Sequence, residues 1–179
     1  MKKLGYILLL AVVVMSCKNE QAPETKEAPQ SKKQAALNEQ SAPLKATFSD
    51  STVARLYNQY NLIKTALVNT NGKEAQTYAA ALLEQVEGQP ANESLMSPAQ
   101  AIAQTTDVNT QREAFSDLTA AMLTLVEANI TEGTLYYQFC PMAFSGQGGY
   151  WLSNASEIRN PYFGDQMLSC GAVDRKIKP

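Results

Sequence analysis

The sequence predicts a mainly α-helical fold, an antiparallel helical bundle that carries a small C-terminal β-hairpin and loop subdomain. Two observations favour this fold. From Val53 to Val126, apolar residues recur three and four positions apart, as they do along one face of a helix. Beyond Gly133 this spacing is replaced by clustered aromatic residues and glycines, which are typical of short strands and tight turns.

Residues 1–16 are predicted to be a lipoprotein signal peptide. Lys2 and Lys3 precede an apolar run from Leu4 to Met15, which has the length of a signal-peptide core. The run is shorter than the roughly 20 apolar residues that a membrane-spanning helix needs. Its end, Val-Met-Ser-Cys, resembles the lipobox of bacterial lipoproteins, so Cys17 is the predicted lipidation site. The expected location is the bacterial cell envelope, with a lipid anchor in the outer membrane and the chain facing the periplasm.

Residues 17–47 are predicted to be the lipidated cysteine followed by a disordered tether. After Cys17 this segment is rich in Lys, Glu, Gln, Ala, Ser and Pro and has almost no apolar side chains. Such a composition cannot bury enough surface to offset the entropy lost on ordering. Without the two signal-peptide lysines, 13 basic residues face 17 acidic ones, a net charge of −4. Because nucleic-acid binding requires a basic surface, no nucleic-acid partner is expected.

Residues 48–133 are predicted to form the helical bundle. The first helix begins after a cap at Ser49 or Asp50, and Asn69–Gly72 ends it. Gly88 and Pro90 end the second helix. The expected helices cover Val53–Leu67, Ala75–Val86, residues 94–106, and a long stretch from about Thr110 to the break at Asn129–Gly133. Amphipathic helices joined by such short loops favour antiparallel neighbours.

Residues 134–179 are predicted to complete the same domain with strands and loops. Thr134–Cys140 is rich in aromatic residues and predicts a strand, and Tyr150–Leu152 predicts its returning partner. The glycine-rich Ser145–Gly149 segment is the turn between them, and Asn160-Pro161 sets another turn. Asp165–Cys170 is expected to form one helical turn.

The candidate binding site consists of Cys140, Met142, Met167 and Cys170, in a chain that contains no histidine. Residues two apart in a strand share a face, and residues three apart share a face in a helical turn. Two such pairs brought together would offer two thiolates and two thioethers. Because soft sulfur donors select soft ions, the expected cofactor is Cu(I). Trp151 could cover the ion through a cation–π contact.

The alternative is a structural disulfide between Cys140 and Cys170. The compartment outside the cytoplasm permits disulfides, and closure of this loop of about 30 residues would contribute roughly 3–4 kcal/mol. Met142 and Met167 would then be ordinary apolar packing. In this interpretation the protein is an interaction or scaffold module without a metal.

Catalysis is not expected from this sequence. Ser153 and Ser169 have no histidine to activate them, which excludes a serine triad. No glycine-rich phosphate-binding loop is present either. Gln111 and Arg112 are interpreted as structural residues that bond to the end of a neighbouring element.

Five segments of the chain resemble a family of proteins of unknown function: Gln111–Phe115, Tyr137–Ala143, Gly149–Ser153, Ile158–Gly164 and Met167–Gly171. That family occurs in lipoproteins of Gram-negative bacteria and fused to periplasmic adaptor subunits of heavy-metal (copper and silver) efflux pumps. The resemblance covers most of residues 48–176. It implies a helix-rich periplasmic domain connected with metal handling, with efflux components as partners. The sequence therefore predicts a non-catalytic, Cu(I)-binding envelope lipoprotein with a copper-handling or efflux-accessory role.

Overall fold

The computed structural model describes residues 40–87 and 90–179 of the protein. The predicted signal peptide (1–16), the predicted lipidation site Cys17 and most of the predicted tether lie outside the described residues. Within the described ranges, no helix combines the length and the apolar character that crossing a bilayer requires.

The described chain is mainly helical, with a small antiparallel sheet, as the sequence predicts. The helices are α1 (Ser51–Val68), α2 (Gly72–Val86), α3 (Met96–Ala103) and α4 (Val108–Asn129), and a 3-10 helix (Pro90–Leu95) precedes α3. Helix α1 packs against α2 and α4, and α3 packs against the same two helices. The apolar stripes seen in the sequence face one shared core.

Polar caps fix where these helices begin. The Asp50 side chain accepts a hydrogen bond from Thr52 N at 2.7 Å, and the Asn71 side chain accepts one from Glu74 N at 3.1 Å. Asp107 caps α4 by accepting from Thr110 N at 2.8 Å. Because Asp107 satisfies an otherwise unpaired amide, α4 begins at Val108, slightly before the predicted start.

Two short strands tie the start of the described chain to the end of α4. Strand β1 (Thr47–Phe48) pairs antiparallel with β2 (Ile130–Glu132). The helix ends at Asn129, as the break at Asn129–Gly133 predicts, but the sequence did not predict that most of this segment forms β2. Residues 40–47, at the end of the segment assigned to the tether, lie against the domain: Ala46 is buried, and Asn154 Nδ2 donates to Ala42 O at 2.7 Å.

The C-terminal sheet has β3 (Leu135–Cys140) at its centre. Strand β4 (Gly149–Ser153) lies antiparallel on one side, which confirms the predicted hairpin, and β5 (Ala172–Ile177) lies antiparallel on the other. Strand β5 was not predicted from the sequence. A short turn, α5 (Ala143–Gly146), overlaps the predicted turn Ser145–Gly149 only at Ser145 and Gly146, and Phe144 and Ser145 within it have positive φ angles.

The segment before β5 differs from its prediction. In place of one helical turn over Asp165–Cys170, a 3-10 turn covers Gly164–Gln166. A separate turn follows, closed by the hydrogen bond from Cys170 N to Met167 O at 3.0 Å. The glycine at 164 explains the early start, because its φ of 54° lies in the left-handed region that favours glycine.

Aromatic rings connect the helical part to the C-terminal part. Tyr60 stacks on Phe115 with ring centroids 5.1 Å apart, and Phe115 lies 6.1 Å from Tyr162 in the loop before β5. The hydroxyl of Tyr60 also accepts from Leu152 N in β4 at 3.0 Å. The C-terminal sheet is therefore held against α1 and α4 by buried rings and by a buried hydrogen bond.

Candidate sulfur site

The two C-terminal cysteines meet at one end of the sheet. Cys140 ends the central strand β3 and is fully buried, whereas half-buried Cys170 lies two residues before β5. Because β5 pairs with β3, the chain returns to the end of β3 and brings the two Sγ atoms to 2.9 Å. This separation exceeds the S–S bond length of about 2.05 Å, and both residues are free thiols.

Gly171 allows this close approach. Its φ of 137° lies outside the range that other residues readily adopt. A Cβ at this position would lie 2.7 Å from Phe139 O and 2.9 Å from Cη2 of Trp151. Only glycine lets the backbone beside Cys170 pack directly on β3.

Asn160 organises the loop that carries Cys170, a role that was not predicted from the sequence. Its side chain is fully buried, and its Nδ2 donates to Cys170 O at 2.8 Å. Its Oδ1 accepts from the backbone amides of Tyr162 and Phe163 at 2.8 and 3.2 Å. The sequence signal was an Asn before a Pro, a pair whose amide often bonds to the backbone two residues on. That signal predicted a turn but not the bond to Cys170.

The thiol pair favours the protonated state of Cys170. Its hydrogen bond with Cys140, and secondly its burial, raise the pKa of the Cys170 thiol. Metal ligation requires thiolates, so binding of an ion here would release protons. The same hydrogen bond would be lost when an ion separates the two sulfur atoms.

The two predicted methionine ligands lie on the surface. Met142 is 53% exposed and Met167 is 38% exposed, and neither belongs to the core or to the half-buried residues packed against it. The structure thus brings the two predicted thiols together and leaves the two thioethers exposed in the adjoining turns. The residues that the structure describes contain no group of three or more His, Cys, Asp or Glu side chains suited to a metal ion. A metal at this end of the sheet would therefore depend on sulfur.

Trp151, the predicted cap, is fully buried in β4. It pairs with Gln138 across the β3–β4 ladder and lies edge-on to Tyr162, with ring centroids 6.0 Å apart. Its ring also lies next to Gly171, as the close Cη2 contact above shows. Trp151 is therefore a core residue adjacent to the thiol pair. Within the described ranges its indole Nε1 has no hydrogen-bond partner.

Gln111 and Arg112 have the structural roles predicted for them. Gln111 Nε2 donates to Gly72 O at 2.8 Å and to Thr105 O at 2.7 Å, and so joins α4 to the start of α2. Arg112 is buried and donates from Nε to Pro161 O at 2.8 Å, which fixes the loop that contains Asn160. Burial lowers the pKa of Arg112 from its ordinary value, and the charge of Asp165 partly opposes that effect.

Comparison with known proteins gives a family match within the helical part. Residues 56–133 match the model of a family described as protein of unknown function (DUF3347). The match runs from within α1 to the end of β2, and all four predicted sulfur ligands lie beyond it. No curated protein and no solved structure matches the chain.

Proposed function

We propose that the protein is a non-catalytic envelope lipoprotein that binds a soft monovalent metal ion, Cu(I), in a copper-handling or efflux-accessory role. Cys140 and Cys170 would supply thiolates, and Met142 and Met167 would supply thioethers. The observation that carries the proposal is the exposure of the two methionines beside a pair of thiols. Their exposure leaves both side chains accessible to an ion from solvent.

The chemistry of the four residues suits a soft ion. Two thiolates and two thioethers would hold a monovalent ion with a net charge of −1, and such donors select Cu(I) over harder ions. Cys170 is half-buried and lies in a turn on the surface, so an ion can reach the pair from solvent. Met142 follows Cys140 by two residues, and the turn closed by Cys170 N and Met167 O keeps those two residues close.

The distance between the thiols favours a second candidate function. With Sγ atoms 2.9 Å apart, a small movement would form a disulfide in an oxidising compartment. The protein would then be a stapled interaction or scaffold module without a metal. The two states exclude each other, because a disulfide sulfur cannot act as a thiolate ligand, so oxidation would switch metal binding off.

One experiment separates the two functions. The full chain is isolated anaerobically, its thiols are alkylated, and mass spectrometry counts them; a reduced sample is then titrated with Cu(I) against a competing chelator. The proposal predicts one ion per chain with a Kd well below 1 μM. If both thiols are oxidised as isolated and the reduced chain binds no more tightly than about 1 μM, −8.2 kcal/mol, the scaffold function replaces metal binding.

Methionine variants sharpen that titration. Met142→Leu with Met167→Leu keeps side-chain volume and removes both thioethers. The matched control is Met96→Leu, because Met96 is 39% exposed and begins α3, away from the thiol pair. The double variant should weaken Cu(I) binding at least about tenfold, or 1.4 kcal/mol, and the control should not change it. Equal affinity in the double variant would remove the thioethers from the site.

The anchor and the arrangement of the helices are part of the same proposal. Lipidation at Cys17 would hold the domain at the outer membrane, with residues 18–39 as a spacer and efflux components as partners. We also propose that α1–α4 form an antiparallel bundle, since α1 and α2 are joined by a loop of only a few residues. A Cys17→Ser chain should lose metabolic palmitate label and leave the membrane fraction, whereas retention of both would contradict lipidation.

A further inference from the structure

Lys64 is a buried amine that the sulfur site does not use. It lies in α1, and only 4% of the residue is exposed. Lysine is among the residues least often found buried, because its charge loses hydration there. Within the part of the chain that the structure describes, Lys64 forms neither an ion pair nor a hydrogen bond that would compensate for this loss.

The side chain of Lys64 lines a cavity of about 160 Å³. One wall is α1 with Thr65 and Val68, and a second is the segment Gln40–Ala42. The end of β4 and the chain that follows it close the third side, with Ser153 from the strand and Ala155, Glu157 and Arg159 beyond it. The cavity is smaller than the roughly 300 Å³ at the lower end of drug-sized ligand sites, so it fits a compound of only a few heavy atoms.

Burial in this cavity makes the Lys64 amine easier to deprotonate than an ordinary lysine. Burial alone lowers the pKa of Lys64 from 10.5 to about 7. Apart from Lys64, the charged residues that line this space in the described part of the chain are Glu157 and Arg159, and they pair with each other at 3.0 Å between Oε1 and Nη2. Arg159 therefore lies against the carboxylate that could otherwise have stabilised a lysine ammonium. A substantial fraction of the amine is free base at neutral pH.

We propose that Lys64 is a nucleophilic amine that binds a small aldehyde or ketone covalently, as an imine, in this cavity. The nitrogen lone pair forms a bond to the carbonyl carbon. The carbonyl C–O bond then breaks, and the oxygen leaves as water with the two hydrogens of the amine. The reaction needs no oxidant or reductant, and a desolvated lysine is the form that carries out such chemistry.

Hydroxyl groups are in place to polarise the carbonyl compound. Ser153 Oγ lines the cavity and accepts from Ala155 N at 3.3 Å, so this bond does not use its hydroxyl hydrogen. That hydrogen can be donated to a carbonyl oxygen in the cavity. The lining combines short apolar side chains with the hydroxyl groups of Ser41, Thr65 and Ser153, which suits a short aldehyde or ketone.

The test is reductive trapping on the full chain. Propanal and sodium cyanoborohydride are added at pH 7 with Nα-acetyllysine as a reference amine in the same solution, and mass spectrometry of peptides locates propyl groups. The free-base fraction at pH 7 is about a thousand times larger for a pKa near 7 than for an ordinary lysine. Even with slow entry to the cavity, Lys64 should react at least about tenfold faster than the reference. A rate equal to or below that of the reference overturns the proposal.

Two further measurements test the proposal, and the first uses only the wild-type chain, so it does not depend on whether a variant folds. The wild-type labelling rate at Lys64 should level off above about pH 8, whereas the reference continues to rise towards about pH 10; parallel profiles overturn the proposal. Ala155→Leu fills the cavity without changing the amine and should slow labelling at Lys64 about tenfold. Exposed Ala120→Leu is the matched control. Unchanged labelling in folded Ala155→Leu would show that the cavity is not the binding site.

Discussion

The helical part of the domain, residues 48–133, and the C-terminal part, residues 134–179, are held in shape by different interactions. In the helical part, stripes of buried apolar residues such as Leu56 and Leu118 face one core. The C-terminal part depends on single residues whose bonds have no substitute, among them Asn160 and Gly171. The helical part is stabilised by a repeated pattern of apolar residues, whereas the C-terminal part is stabilised by individual contacts. Both cysteines of the thiol pair lie in the second part, where loops can place reactive side chains.

The largest loss of stability is expected at Phe115, whose ring contacts both parts of the domain. Phe115→Ala removes a fully buried side chain that contacts Tyr60 in α1 and Tyr162 in the C-terminal loop. The free energy of unfolding should fall by about 3–5 kcal/mol, measured by urea denaturation of the full chain. Exposed Leu62→Ala is the control and should change it by less than about 0.5 kcal/mol. A similar small loss for Phe115→Ala would show that the two parts are not packed together.

The next effect on the free energy of unfolding should be a pH dependence that arises from Lys64. Its pKa is about 7 in the folded state and 10.5 without burial, so between these values the unfolded chain binds more protons. Stability from this group is therefore gained as pH rises from 7 towards 10 and is constant below 7. The wild type should gain about 1.4 kcal/mol per pH unit in that window relative to Lys64→Met, in parallel urea titrations. A pH-independent difference would place Lys64 in water.

Asn160 tests the dependence of the C-terminal part on single residues. Asn160→Ala leaves the buried amides of Tyr162 and Phe163 and the carbonyl of Cys170 without their partner. We expect a loss of about 2 kcal/mol in unfolding free energy and faster alkylation of Cys170 than in the wild type. Asn58→Ala, at an exposed asparagine of α1, should change neither quantity. Unchanged alkylation of Cys170 in Asn160→Ala would mean that the loop is fixed by other contacts.

The smallest effect on stability is expected at the methionines. Met142→Leu with Met167→Leu should change the unfolding free energy by less than about 0.5 kcal/mol, because both side chains are exposed. The same change should weaken Cu(I) binding, so stability and affinity separate at this site. A loss of more than about 1.5 kcal/mol would instead make the methionines packing residues.

The helices could be predicted from the sequence because apolar spacing and caps are local signals. Strand β5 could not, since Asp174, Arg175 and Lys176 are exposed on an edge strand and give no apolar alternation. The bond from Asn160 to Cys170 spans ten residues of irregular chain, which no periodicity encodes. Lys64 resembles an ordinary surface charge in the sequence. Its burial arises from segments around residues 41 and 155 that fold over α1.

The sequence predicted that the two cysteines lie close together, because the metal hypothesis and the disulfide hypothesis both require it. The exposure of Met142 and Met167 was not predictable, because methionine is equally common as core filling. In the structure neither methionine contributes to the core, whereas the disulfide hypothesis treats both as apolar packing. The metal hypothesis therefore depends on the two turns beside the thiol pair, which carry Met142 and Met167.

The most direct test of the sulfur site is X-ray absorption at the copper edge of the reduced full chain loaded with one equivalent of Cu(I). The proposal predicts a coordination shell made only of sulfur, with fewer sulfur ligands in Met142→Leu with Met167→Leu. It also predicts loss of bound copper in Cys140→Ser and in Cys170→Ser. A shell of nitrogen or oxygen ligands, or copper retained in both cysteine variants, would contradict the assignment.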